Sequence, residues 1–487
     1  MGFISEEKLL KVLMGFNPWW ITGKVPKEFT KPFKRTAFYE TKKKLSNEQL
    51  RRIVLLSGAR RVGKTTIMYQ LIEDLLSSGI VPKHILYVSF DHPLLKFCEI
   101  DEIIKVFVDN ISGEDRKIYL FFDEIQYADN WDKWLKVLYD LNPLYKIIAT
   151  GSASPVISSK SAESGVGRWI EVKIPTLSFY EYIQLIGVED IPVLPEQINP
   201  IDLAGVDKQD IASLLISLRN LQKHLQRYLL VGGFPEIALA DDIPYAQRIM
   251  REDIVDKVLK RDMTALFKIR NVAELEKIFL YLCIHSSQII SIESIAKEIR
   301  VSRTTVANYL ELLKQSNLIY ISNPAEIGGK KVLKSRPKIF LADAAIRNAV
   351  LMLEDDILTN PDEMGIIVET TVFKHIASFY YDKLPKIGYY RENRTSKEVD
   401  IVVSLPSGKI LIETKYRENP DITEKEAIVA LANDPNVKNA VVVTKSEEDY
   451  GVLPYKTKTP VIKIPAYAFL YLLGRAEKER VMPLSLP

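Results

Sequence analysis

At 487 residues the chain is longer than one hydrophobic core can organise, so about two to four domains are expected. Apolar residues make up 47% and charged residues 26%, the balance of a soluble globular protein, and a net charge of +3 leaves any nucleic-acid binding to a local basic patch. Cys98 and Cys283 are too few and too far apart for a disulfide framework or a cysteine zinc site; without an apolar signal core or a membrane-length apolar run, a cytoplasmic protein with no membrane attachment is expected.

Residues 1–50 carry an aromatic cluster, Asn17-Pro18-Trp19-Trp20, and a basic stretch through Lys31, Lys34, Arg35 and Lys42 to Lys44. They read as an N-terminal arm packed on the domain that follows. Over 51–175 strands and helices alternate, as a parallel nucleotide-binding sheet requires. Arg52–Ser57 reads as a short buried strand, and Thr65–Leu76 has apolar residues at helical spacing. Between them Gly58-Ala59-Arg60-Arg61-Val62-Gly63-Lys64-Thr65 fits the phosphate-loop pattern at every fixed position. The two glycines let backbone N–H groups close on phosphate oxygens at the positive end of a helix. Lys64 would reach the β and γ phosphates, Thr65 would give its hydroxyl to Mg²⁺, and Thr66 begins the helix behind them. ATP with Mg²⁺ is therefore the expected cofactor.

A second strand, Lys117–Phe122, ends in Asp123-Glu124. Beside a phosphate loop this is the Walker B arrangement, with Asp123 in the Mg²⁺ shell and Glu124 polarising the attacking water. The next strand, Tyr145–Thr150, ends in Gly151-Ser152, where Thr150 and Ser152 are candidate sensors of the γ-phosphate. Arg168, in a glycine-rich loop, is a candidate for stabilising transition-state charge across a lid or a subunit boundary, the latter implying a homo-oligomer. The alternative is an ordinary surface arginine.

Residues 176–270 turn largely helical, interrupted by Pro192, Pro195 and Pro200, and read as a helical lid. Within them Gly232-Gly233-Phe234-Pro235 marks a helix stop and a sharp turn. Over 271–345 the pattern becomes helix, tight turn, helix. Ile292, Ile295, Ala296 and Ile299 form one apolar face, Ser302 caps the second helix, and Val306, Tyr309, Leu310 and Leu313 line it. Such a motif points Arg303, Thr304, Thr305 and Asn308 at DNA, and a following wing with Lys330, Lys331, Lys334, Arg336 and Lys338 would lie on phosphates. A winged helix kept only for packing is the alternative.

Residues 346–487 hold a second constellation. Val399–Val403 and Lys409–Lys415 read as a hairpin turned at Pro406-Ser407-Gly408. Pairing brings Asp400 opposite a residue between Glu413 and Lys415, and Glu413 and Lys415 share a face. Two carboxylates and a lysine can hold Mg²⁺ and orient a water for phosphodiester hydrolysis, with Glu369 on a helix upstream as a further metal ligand. Charges merely solvated on a half-exposed hairpin are the alternative.

Together the chain resembles a family of archaeal and bacterial AAA+-like ATPases related to the STAND group. The resemblance runs through Asn17-Pro18-Trp19-Trp20, the phosphate loop, Asp123-Glu124-Ile125-Gln126, Thr150-Gly151-Ser152 and Leu177-Ser178-Phe179-Tyr180-Glu181-Tyr182. It continues through Gly232–Glu236, Pro337–Phe340, Glu398-Val399-Asp400 and Glu413-Thr414-Lys415. It implies an α/β chain with a P-loop ATPase domain, helical lid, winged helix and a C-terminal restriction-endonuclease-like domain, with work on DNA. Three functions follow as expectations: an ATP-driven protein that processes branched or broken DNA, a nucleotide-controlled signalling switch, and an Mg²⁺-dependent nuclease regulated by ATP.

Overall fold

The computed structural model describes residues 4–482 apart from 115, 152–166, 190, 192–193, 195–197, 204, 268, 270, 327–335 and 393–396. Ser152, Lys330, Lys331 and Lys334 lie outside the described residues. The chain forms two compact units, one running to Ile174 with Gln315–Asn317 counted to it, the other made of the remainder from Pro175 onward. Among the described residues no helix is long and apolar enough to cross a membrane.

The first unit is built on five parallel strands, β1 (Ile53–Ser57), β2 (Ile85–Ser89), β3 (Tyr119–Asp123), β4 (Lys146–Gly151) and β5 (Trp169–Lys173), in the order β2-β3-β4-β1-β5. Strands β1 to β4 are buried along their whole length, which is why they read as unbroken apolar runs rather than alternating ones. β2 is an edge, and the N-terminal segment covers it. The Asn17 side-chain amide donates to the Tyr87 carbonyl at 2.9 Å, and its oxygen accepts the Tyr87 N–H at 2.6 Å, imitating a neighbouring strand. Trp19 and Trp20 both donate their indole N–H to the Ile85 carbonyl, at 3.2 and 2.8 Å. Edge groups that would otherwise invite another chain are thereby satisfied.

The second unit carries an eight-stranded mixed sheet in the order β12-β13-β11-β10-β9-β8-β6-β7. Its strands are β6 (Ile319–Pro324), β7 (Lys338–Leu341), β8 (Lys386–Arg391), β9 (Glu398–Leu405), β10 (Gly408–Lys415), β11 (Val437–Thr444), β12 (Gly451–Val452) and β13 (Val461–Pro465). β8, β9 and β10 form an antiparallel meander, and β11 and β13 continue in parallel. The β9–β10 hairpin pairs Leu405 with Gly408 and Ile401 with Ile412. Helix Ile292–Ile299 ends at Arg300, whose left-handed backbone turns the chain toward helix Arg303–Gln315. Lys338, expected in a basic wing lying on phosphates, is instead a buried member of β7, paired with carboxylates from distant segments that no local pattern announces.

A buried polar hub explains the double glycine. The Asp343 carboxylate accepts the Lys374 ammonium at 2.9 Å, the Thr176 hydroxyl at 2.7 Å and the Gly233 N–H at 3.1 Å. Lys374 also donates to the Leu177 carbonyl at 3.2 Å and to Tyr228 Oη at 2.7 Å. Backbone packs so tightly here that a Cβ on Gly233 would stand 2.5 Å from the Leu177 carbonyl oxygen. The next residue, His375, accepts the Phe179 N–H on Nε2 at 2.8 Å, so Nδ1 carries the proton and donates to the Thr371 carbonyl. Burial first and then the Lys374 charge push its pKa down to about 3. A depressed histidine supports the fold above its unfolded pKa of about 6.5 and withdraws that support as pH falls toward 3. Denaturant unfolding against pH is therefore expected to show the second unit weakening across that window, with a shallower fall in His375→Asn.

Candidate functional site

β1 delivers the chain directly into the phosphate loop, and helix Lys64–Ser77 leaves it with Gly63 as N-cap at φ 97°. A Cβ on Gly58 would lie 2.3 Å from the Ile174 carbonyl oxygen, so only glycine lets the loop close over β5's continuation. Arg61 adopts a left-handed φ of 63°, a conformation that costs energy away from glycine and collects at functional loops. The first-turn N–H groups of Lys64, Thr65 and Thr66 have no acceptor within the helix, which makes this turn an anion seat. Lys64 is 5% exposed and donates to the carbonyls of Gly58 and Ala59, both at 2.9 Å. From the N-terminal segment, buried Arg35 donates to the Val62 carbonyl at 2.8 Å and steadies the loop from outside.

Asp123 ends β3 facing the loop. Its Oδ2 accepts the Thr65 hydroxyl at 2.7 Å and the Tyr87 hydroxyl at 2.8 Å, while Oδ1 accepts the Thr150 hydroxyl. Thr150 oxygen in turn accepts the Glu124 N–H at 2.9 Å, so one buried threonine ties both acids together. Glu124 has a left-handed φ of 51° and receives the Gln126 side-chain amide. Burial raises its carboxyl above the ordinary range, against the pull of Lys64 and with help from Asp123. Thr65 hydroxyl and Asp123 carboxylate together form a hard-oxygen pair that fits an Mg²⁺ shell beside the phosphates. Tyr87, Arg35 and Gln126 were not singled out from sequence as parts of this site; Tyr87 lay inside an apolar strand with no local mark.

Arg168 is not brought to the loop. It precedes β5, and its carbonyl accepts the Ile53 N–H at the start of β1, so it sits at the opposite end of the parallel sheet. Five residues of strand at about 3.3 Å each separate the two ends by roughly 16 Å. Its guanidinium binds Asp140 through two bonds, at 2.9 and 3.1 Å.

In the second unit Lys338 stands among carboxylates from separate elements. Its ammonium lies 2.5 Å from Glu369 on helix Pro361–Phe379, and 2.7 Å and 3.5 Å from Glu398 and Asp400 on β9. Burial alone would lower the lysine's pKa, but Glu369, Asp400 and Glu398 outweigh it and raise it. Burial and then Asp400 push Glu369 up to about 8, against the opposing pull of Lys338. Asp400 Oδ2 accepts the Thr414 N–H at 2.8 Å, and Glu413 pairs with Lys415 at 2.9 Å. Burial and the Asp400 charge hold Glu413 well above the ordinary carboxylate range. The hairpin and the helix thus bring Glu369, Asp400, Glu413 and Lys415 to one neighbourhood. They do not fit the Mg²⁺ expected there. The Lys338 ammonium already stands against Glu369, Glu398 and Asp400 and takes up part of the negative charge a divalent ion would need. Among the described residues, no group of three or more His, Cys, Asp or Glu is disposed to hold a metal.

On helix Arg303–Gln315, Arg303, Thr304 and Asn308 are exposed. Arg303 pairs with Glu293, and Thr305 is engaged in the cap, its N–H donating to Ser302 Oγ at 3.0 Å.

Residues 50–183 match a family described as an AAA domain, while 222–357 and 364–467 match two domains of unknown function, DUF8612 and DUF4143. An uncharacterized protein of Methanocaldococcus jannaschii, MJ1544, is 28% identical over 424 residues, covering 85% of this chain and 86% of its own. One from Haemophilus influenzae is 27% identical over 306 residues, covering 61% of this chain and 68% of its own. A Thermotoga maritima RuvB mutant aligns with a TM-score of 0.27 at 16% identity, over 60% of this chain and 90% of its own. AMPPCP-bound DnaA from Aquifex aeolicus aligns with a TM-score of 0.25 at 16% identity, over 61% and 92%. Superpositions this loose add nothing to the assignment. From the loop's geometry and the domain match, the chain carries an AAA+-like P-loop ATPase domain.

Proposed function

We propose that the chain is an ATP-hydrolysing protein that acts on DNA, with nucleotide turnover in the first unit driving or timing the action of the second. The observation that carries the ATPase reading is the convergence of Lys64, Thr65, Asp123 and Glu124 at the mouth of β1 and β3. When bound, Mg²⁺ supplies charge neutralisation to the phosphates, and Thr65 and Asp123 are the residues that would hold it. Lys64 exchanges its two loop carbonyls for phosphate oxygens. Glu124, half-buried and fixed through Thr150 and Gln126, orients the attacking water and accepts its proton.

The DNA half of the reading rests on the second unit. Three helices, Val272–Ile284, Ile292–Ile299 and Arg303–Gln315, precede the antiparallel β6–β7 pair, and Ile289 bridges to Lys338. That succession suits a winged helix, with exposed Arg303, Thr304 and Asn308 toward the groove. The meander with Asp400, Glu413 and Lys415 suits a restriction-endonuclease-like domain kept for binding. Within one chain Arg168 cannot serve the phosphates, so its catalytic candidacy belongs to a homo-oligomer alone.

The test is ATP hydrolysis by the full chain with linear, forked and four-way DNA, using Lys64→Ala as the blank. Stimulation and binding by at least one DNA structure are expected. Absence of both across the panel overturns the DNA reading, and tightly co-purified ADP with no DNA response would favour the signalling switch instead.

A further inference from the structure

We propose that the Lys338 ammonium is the resident cation of the C-terminal centre, standing where a nuclease-type site would hold a divalent metal and making that centre metal-free. The reading is independent of the nucleotide site.

Geometry carries it. A lysine has three N–H donors, and Lys338 finds Glu369 at 2.5 Å, Glu398 at 2.7 Å and Asp400 at 3.5 Å, from a side chain only 3% exposed. These acids meet the ammonium from a helix and a strand. A hard-oxygen set of this kind takes Mg²⁺ or Mn²⁺ when its centre is free. Here the centre is taken by a charge delivered covalently on β7, outside the Glu-x-Lys hairpin. Lys415, the lysine of that hairpin, pairs with Glu413 at 2.9 Å and Glu426 at 3.9 Å. Two carboxylate oxygens in this centre are buried without a hydrogen-bond partner: Glu369 Oε1, which has its ion pair with Lys338 alone, and Glu413 Oε2, on a residue 5% exposed. The buried carboxylate oxygens here outnumber what a single ammonium can satisfy.

The lysine also has a mechanical result. It fastens β7 to helix Pro361–Phe379 and to β9, so the strand pair behind the helix-turn-helix is anchored by charge to the C-terminal sheet. Removing a buried ion's partner is costly, and exchanging lysine for metal would require this anchor to open.

The experiment is Mn²⁺ binding to the nucleotide-free full chain, read by the loss of the free Mn²⁺ paramagnetic resonance signal. The wild-type chain and Asp400→Asn are expected to bind the same amount of Mn²⁺. Lys338→Met should bind one more Mn²⁺ per chain, and the double variant Lys338→Met/Asp400→Asn should lose it. A drop in Mn²⁺ on going from wild type to Asp400→Asn overturns the proposal, because the centre would then hold metal with Lys338 in place. So does a Lys338→Met chain that gains no more Mn²⁺ than the double variant. Should Lys338→Met fail to fold, the pairing is read from Lys338→Met/Glu369→Gln. Recovery of the folded chain by that neutralised pair supports the cation role, and equal failure of both refutes it.

Discussion

Glu124→Gln is expected to slow ATP turnover by about 10²–10³-fold while nucleotide affinity stays within a few-fold. The amide keeps nearly the same size and can still accept the Gln126 N–H, so the loop and the Thr150 link to Asp123 should be undisturbed. What is lost is a carboxylate able to take a proton from water. Burial holds Glu124 above the usual carboxylate range, so the acid limb of turnover should also lie above that range. Phosphate release against pH, together with titration of a fluorescent ATP analogue, separates the two effects. A variant that turns over like wild type would move the base elsewhere. Lys64→Ala, by contrast, should lose affinity and turnover together, since the phosphates lose their only loop-borne ammonium.

The second large effect is structural. Asp343→Ala is expected to destabilise the second unit by about 3–5 kcal/mol, the typical result of leaving a buried charge without its partner. Burial works against the Asp343 carboxylate, yet Lys374 and the hydrogen bonds around it hold its pKa below the ordinary value. Its removal takes the charged partner from the Lys374 ammonium, which keeps the Leu177 carbonyl and Tyr228 Oη, and also strips a partner from the Thr176 hydroxyl and the Gly233 N–H. Hydrogen exchange at the Phe179 amide, locked by the neighbouring His375, gives a local readout alongside denaturant unfolding. Asp343→Ala/Lys374→Met should recover much of the loss. A single variant within about 1 kcal/mol of wild type would mean that water or a side-chain shift already compensates the charge.

The parts of the chain that were legible are those whose chemistry is contiguous. The phosphate loop places glycine, lysine and threonine within eight consecutive positions, and Asp123-Glu124 closes an apolar strand. Placing Arg168 required the register of β5 on β1, which no local pattern encodes. Lys338 was misread for the same reason. It follows a basic run, while the acids Glu398 and Asp400 that bury it lie 60 and 62 positions away. The hairpin was visible, but pairing Asp400 with a residue between 413 and 415 had to wait for the ladder that sets Ile401 against Ile412. Gly232-Gly233 announced a turn, and its reason, the close approach of the Leu177 backbone, belongs to the fold alone.

The clasp of Asn17, Trp19 and Trp20 on β2, with Arg35 on the loop, bears on where this ATPase begins as a heritable object. Recognition by motif starts the domain near residue 50, yet a chain cut there would bare an adhesive strand edge and free the Val62 carbonyl. Gene rearrangements that carried only the motif-bearing piece would deliver a sticky fragment. The module that can be shuffled intact between proteins is therefore longer than the one its signature advertises, and its first fifty residues travel with it or the catalyst does not arrive.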